Sequence, residues 1–233
     1  VLQKAKEISA QENIPIVCTG DLIDFVSYAN LDAAKKFMQE TDTLFVAGNH
    51  EFSLYVGEAK EDEAYRNQSL AKVEEAFGGD VRFVSRIIGG VNFVGLDNGY
   101  LQFDLWQMER LQKEVEKGYP IVLFMHTPLY EKELFRVLMY DRASIGLAEQ
   151  SPWCRRASLL GVKRELMTDY TPNQIEGQLP TEETLRVFEY INNGPAIKAI
   201  LTGHVHCDYE AKATSGIPQI ITSCTTVKII QFR

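Results

Sequence analysis

A chain of 233 residues with 45% hydrophobic content is long enough to bury a sizeable core. No polar, low-complexity stretch interrupts it, so one domain over 1–233 is expected. Its 32 Asp and Glu against 24 Lys and Arg leave a net charge of −8, which argues against a general affinity for nucleic-acid backbone or anionic lipid, because both need a basic field. No apolar run approaches the roughly 18 residues that cross a bilayer, so no membrane segment is expected. A cytoplasmic setting is favoured, while the compartment, an N-terminal leader and the oligomeric state stay open.

In chain order, hydrophobic periodicity predicts a helix over Val1–Ser9, a strand in "IPIVCTGD", a helix over Leu31–Gln39 and a strand in "TLFVAGNH". A helix over Asp62–Phe77 follows, then strands in "VRFVS" and "VNFVGLDN" and a helix over Leu105–Lys117. After the strand "IVLFMHTP", the stretch from about Tyr140 to Pro180 lacks a clear period and reads as an insertion of loops and short helices, a candidate lid. A helix over Glu182–Asn192 and strands in "IKAILTGH", "PQIIT" and "VKIIQF" complete the chain. Short β-branched runs alternating with amphipathic helices indicate an α/β fold. Asn30, Asp104 and Thr181 are suited to N-caps, and Gly78, Gly118 and Gly194 to the positions after helix ends. Cys18, Cys154, Cys207 and Cys224 show no Cys-x-x-Cys spacing and read as buried free thiols.

The polar residues of interest follow apolar strands. Asp21 follows "PIVCTG", Asn49 and His50 follow "LFVAG", His126 follows "IVLFM", and His204 and His206 follow "AILTG". Strand C-termini in α/β proteins line one edge of the sheet, where ligand sites form. Each motif alone has a plain alternative as a turn or a satisfied core histidine, but together they use every histidine in the chain. Carboxylate, amide oxygen and imidazole without thiolate suit a divalent manganese, iron, zinc or nickel ion. A carboxylate such as Asp21 can bridge two ions, and a pair about 3.5–4 Å apart forms a clamp for phosphoryl chemistry.

"GDLID" at Gly20–Asp24, "GNHE" at Gly48–Glu51, "MHTP" at Met125–Pro128 and "GHVH" at Gly203–His206 resemble, in order, the motifs of the calcineurin-like metallophosphoesterases. The resemblance implies a four-layer αββα sandwich of two mixed sheets with a dinuclear metal centre at one edge. It implies Asp21 as bridging ligand, Asn49, His126 and His204 as further ligands of one ion, and His206 as a ligand of the other. His50 resembles the catalytic histidine that assists the leaving group, with Asp24 orienting it or, alternatively, only capping a turn. The nucleophile implied is a metal-bound hydroxide. Glu51 is a weaker candidate, and Asp97 is not assigned to metal.

One departure stands out. The family opens with an Asp-x-His on a first strand, and "VLQKAKEIS" offers none. A missing first strand is expected, the alternative being a degenerate, partner-binding scaffold with an impaired first metal site. Phe25 after Asp24 speaks against the protein Ser/Thr phosphatase branch, which has Arg there, and Asp24 itself against the purple acid phosphatases, which have Tyr. The pattern is closer to bacterial-type phosphodiesterases and small phosphatases acting on a small phosphorylated substrate. Between Glu131 and Arg164 seven Lys or Arg face four Asp or Glu, and "SPWCRR" offers Arg155 and Arg156 beside an aromatic ring as candidate substrate contacts. The plain alternative is a solvated loop. A nuclease lacks an evident basic track, and an amidohydrolase barrel would carry its His-x-His on the first strand instead of a late one.

Overall fold

In the computed structural model, residues 1–56, 60–145, 158–168, 170–213 and 215–232 are described. Helix α1 (Leu2–Glu12) leads into strand β1 (Ile16–Cys18), helix α2 (Tyr28–Glu40) and strand β2 (Thr43–Phe45), which pairs parallel to β1. Helices α3 (Glu63–Arg66) and α4 (Leu70–Phe77) precede the antiparallel pair β3 (Phe83–Ile88) and β4 (Val91–Leu96). Next come α5 (Leu105–Glu116), β5 (Ile121–Phe124), α6 (Lys132–Tyr140), α7 (Pro172–Gln178), α8 (Glu182–Asn193), β6 (Ile197–Thr202), β7 (Tyr209–Lys212) and β8 (Pro218–Ile221). Strands β3 to β8 form a second, mixed sheet in the order β3-β4-β5-β6-β8-β7.

The period of two along the strands explains how the layers form. Leu44 and Val46 share a buried cluster with Val122, Phe124, Ala199 and Leu201, so these side chains meet between the two sheets. The intervening Phe45 and Ala47 join Ala34, Val73 and Phe77 of α2 and α4 on one outer face. Ile121, Leu123 and Ile200 join Leu111, Val187 and Ile191 of α5 and α8 on the other. Helices, two sheets and helices therefore stack in four layers, as the resemblance implied.

Local chemistry corrects several boundaries. The N-cap of α2 is Ser27, whose hydroxyl accepts the Asn30 amide at 3.2 Å, whereas Asn30 turns its own side chain to the Phe25 carbonyl at 2.8 Å. Asp104 and Thr181 do cap α5 and α8, and Gly78 closes α4 in the left-handed region at φ 83°. Gly194 stands at the end of α8 as expected, with extended backbone at φ −77°. The expected helix over 62–77 breaks between α3 and α4, where buried Ser69 is drawn to the Phe52 carbonyl. Helix α6, capped by Glu131 and buried through Leu134, Phe135, Val137 and Leu138, lies outside the predicted elements.

The segment expected as the last strand, Val227–Phe232, joins no ladder among the described residues. Its Lys228 is tied to the Ile221 carbonyl and to Asp208, and it lines one wall of a groove of about 620 Å³ whose other walls include α1, β1, Phe93 and Leu201. Strand β7 was not expected, since only Ala211 in "YEAK" is buried. Of the cysteines expected to be buried, Cys207 is, Cys18 is partly so, Cys224 is exposed, and Cys154 lies outside the described residues. Among the described residues no helix is long and apolar enough to cross a membrane.

Candidate metal centre

The turn after β1 carries Gly20 and Asp21, both at positive φ (93° and 55°). Glycine is required at position 20 twice over, because a Cβ there would also strike the Gly48 backbone and lie 2.9 Å from His126 Nδ1. At Gly48 a Cβ would collide with the Asp21 carboxylate and sit 2.7 Å from His126 Nδ1. The two glycines thus let the segments after β1 and β2 close on the end of β5, which delivers His126.

His126 is 1% exposed and anchors the site. Its Nδ1 faces the Thr19 carbonyl at 2.8 Å, a contact in which Nδ1–H donates and Nε2 is directed toward the cluster. Around Nε2 converge Asn49 Oδ1 and Asp21 Oδ2, each at 3.1 Å, and His204 Nδ1 at 2.9 Å. One ring nitrogen cannot serve three acceptors through a single proton. Ligand atoms of Asp21, His126 and His204 all lie within 4.8 Å of one another. A carboxylate oxygen, an amide oxygen and two imidazole nitrogens form a donor set that fits a divalent cation.

His204 and His206 follow β6 and both adopt left-handed backbone, at φ 61° and 55°, with Val205 between them buried in the core. His204 packs edge-on to His126 with ring centroids 4.8 Å apart. His206 is exposed and stands outside the three-residue cluster, in the wall of the groove that Asp21 and His204 also line. Burial works against the Asp21 charge, but His126, His50 and His204 hold its carboxyl well below the usual range. Burial likewise opposes protonation of His126, yet the Asp21 carboxylate and the Thr19 carbonyl raise it to about 9. His204, buried next to His126, is pushed down to about 3.

Beside it, the backbone N–H of His50 donates to Asp21 Oδ1 at 3.1 Å, and its ring Nδ1 contacts Asp24 Oδ1 at 2.8 Å and the Asp24 carbonyl at 3.0 Å. Burial opposes the His50 charge, but Asp21 and the Asp24 contacts raise its pKa above the ordinary value. Arg155 and Arg156 lie outside the described residues. Asp97 is 2% exposed and engaged by the Gly99 amide and Arg82.

Two contributors had no signal in the pattern of residue types, and a third, Glu51, stood there only as a weaker candidate. Asn98 forms a reciprocal pair with the Thr127 backbone, donating to its carbonyl and accepting its N–H, each at 2.8 Å, and so fixes the residue after His126. Glu61 is exposed, and desolvation of its carboxyl raises its pKa, with the charges of His126, Asp21 and His50 acting on it. Glu51 is wholly buried, and burial together with the Asp21 charge pushes its carboxyl up to about 7.

The sequence profile of the calcineurin-like phosphoesterases matches residues 1–208. The chain belongs to this family. Among solved structures it is similar to a dimetal phosphatase from Danio rerio, with 15% identity and a TM-score of 0.52 over 95% of this chain and 76% of that one. It is also similar to the phosphopantetheinyl hydrolase of Mycobacterium tuberculosis, with 11% identity and a TM-score of 0.44 over 90% and 79%. No curated protein sequence matches the chain. As a calcineurin-like phosphoesterase, the protein is a metal-dependent phosphoesterase of mixed α/β fold with divalent metals as its cofactors.

Proposed function

We propose that this phosphoesterase hydrolyses a small phosphomonoester or phosphodiester, with water attacking phosphorus in line with the leaving oxygen. The observation that carries the reading is the convergence of Asp21, Asn49 and His204 on His126 Nε2, with the His50–Asp24 pair alongside. Asp21, Asn49, His126 and His204 would hold one divalent ion, and Asp21 with His206 would serve a second. When bound, the ions supply Lewis acidity that activates water and screens the phosphoryl charge.

The chain's own residues do the rest. His50, with Nδ1 occupied by Asp24, keeps Nε2 free to protonate the leaving oxygen, and its raised pKa favours the protonated form that this step needs. Asp24 fixes the ring and its tautomer. A single observation favours a second reading, a scaffold with one metal and no turnover: exposed His206 stands apart from the donor cluster.

The test is hydrolysis of p-nitrophenyl phosphate and bis-p-nitrophenyl phosphate by protein reconstituted with Mn²⁺, alongside the bound-metal count. Chelator-sensitive turnover with two ions per chain supports the reading, and the preferred ester assigns the class. One ion and no turnover on either ester leaves the scaffold.

A further inference from the structure

The Glu51 side chain makes an unusual set of contacts. It belongs to a one-turn 3-10 helix, His50–Phe52, and is 0% exposed. Its Oε2 accepts the N–H of Asp21 at 2.8 Å and of Gly48 at 2.7 Å, while Oε1 accepts the N–H of Leu22 at 2.7 Å and of Ile23 at 3.2 Å. Two of these donors flank the end of β2 and the turn after β1, which are otherwise joined by the His50 N–H to Asp21 Oδ1 bond at 3.1 Å, the Val46 N–H to Cys18 carbonyl bond at 3.3 Å and close contacts across glycine. The other two continue the chain away from Asp21, which sits at φ 55°. Aspartate tolerates this left-handed backbone better than most residues, and no strand or helix hydrogen bond holds it there.

We infer that Glu51 is a positioning residue: its carboxylate clamps the Asp21 turn to Gly48 and thereby sets where the Asp21 side chain meets Asn49, His126 and His204. The inference rests on the reading of Asp21 as a metal ligand. It uses Glu51 as an acceptor, with no proton transfer and no contact with substrate. Only a carboxylate meets the requirement. Four N–H groups need four acceptor lone pairs, and glutamine offers one accepting oxygen while its NH₂ would face two donors. Aspartate keeps the oxygens but is one methylene too short to reach both segments.

The variant to make is Glu51→Gln, with Mn²⁺ affinity measured by titration calorimetry and thermal unfolding followed in the metal-free protein. Partners that orient a ligand cost about 10–100-fold in affinity when removed, and a loss in that range from a folded variant is expected. Wild-type Mn²⁺ affinity in a folded Glu51→Gln overturns the inference. If the variant does not fold, residue-resolved amide exchange on the metal-free wild type decides. Slow exchange at Asp21, Leu22 and Gly48, which lie in no ladder or helix, supports the clamp, and exchange at free-loop rates overturns it. Hydrolysis of p-nitrophenyl phosphate is recorded in parallel on the wild type. Absent turnover with intact metal binding defeats the phosphoesterase reading and leaves the clamp standing.

Discussion

His50 stands next to the donor cluster without entering it, and that separation gives a sharp prediction at the scale of single residues. His50→Ala is expected to keep its metal and to lose about 100-fold in kcat, whereas His126→Ala and His204→Ala lose metal together with activity. Elemental analysis beside steady-state rates checks all three, and loss of metal from His50→Ala would defeat the role given to His50. These residues were legible in the sequence because imidazole, carboxylate and amide at strand ends have few reasons to gather except a cation. Glu51 was legible only as a weaker candidate beside His50, its bonding role was not, and Asn98 was not legible at all. Their partners are backbone groups of distant segments, and an N–H looks the same in any sequence.

Elements reach the site through close approach as well as through side chains. Gly99, in the turn after β4, sits against the Gly48–Asn49 peptide, and a Cβ there would lie 2.6 Å from the Gly48 carbonyl carbon and 2.8 Å from the Asn49 nitrogen. Gly99→Ala is therefore expected to weaken Mn²⁺ binding by at least about tenfold, although it carries no ligand; titration calorimetry reads this. Further from the site, Glu114 ties α5 to β4 by accepting from buried Asn92 at 2.8 Å, and also takes Lys117 at 2.6 Å. Burial opposes its charge, but Lys117 and Asn92 hold its pKa below the ordinary value. A depressed folded pKa means stability that is present above the unfolded value of about 4.3 and is lost as pH falls through the folded one. Glu114→Gln should cost about 1 kcal/mol at neutral pH, and the gap in urea midpoint from wild type should close on acidification. Equal gaps at pH 7 and pH 3 would refute this. Most elements were readable from period, since strands with one helix-facing and one sheet-facing side alternate faithfully. Strand status of "VKIIQF" was not, because a β-branched run becomes a strand only when a neighbour offers it a ladder, and β7 hid behind its charged residues.

Across the whole molecule, two outer cores and one inter-sheet core share the same strands, so damage to the middle layer should be felt globally. Phe124 is fully buried between the sheets, and Phe124→Ala is expected to cost about 3–5 kcal/mol. For a chain of this size that lowers the melting temperature by about 6–20 °C. Calorimetry that finds a shift below about 2 °C would show that the layers unfold separately. Metal should act in the opposite sense, adding about 2.7 kcal/mol at 100 times its dissociation constant and losing that gain to chelator. The layered architecture came from the motif resemblance, since the residue pattern alone indicated only an α/β fold, while the groove beside β1 depends on how the final segment lies. Asp21, His204 and His206 all occupy left-handed backbone, a region that costs most non-glycine residues about 1–2 kcal/mol and aspartate and histidine somewhat less. Glycine would sit there in comfort but has no donor atom to offer. His206→Gly should thus make the metal-free protein hardier while making it a poorer catalyst, so that durability and activity are set against each other at three φ angles.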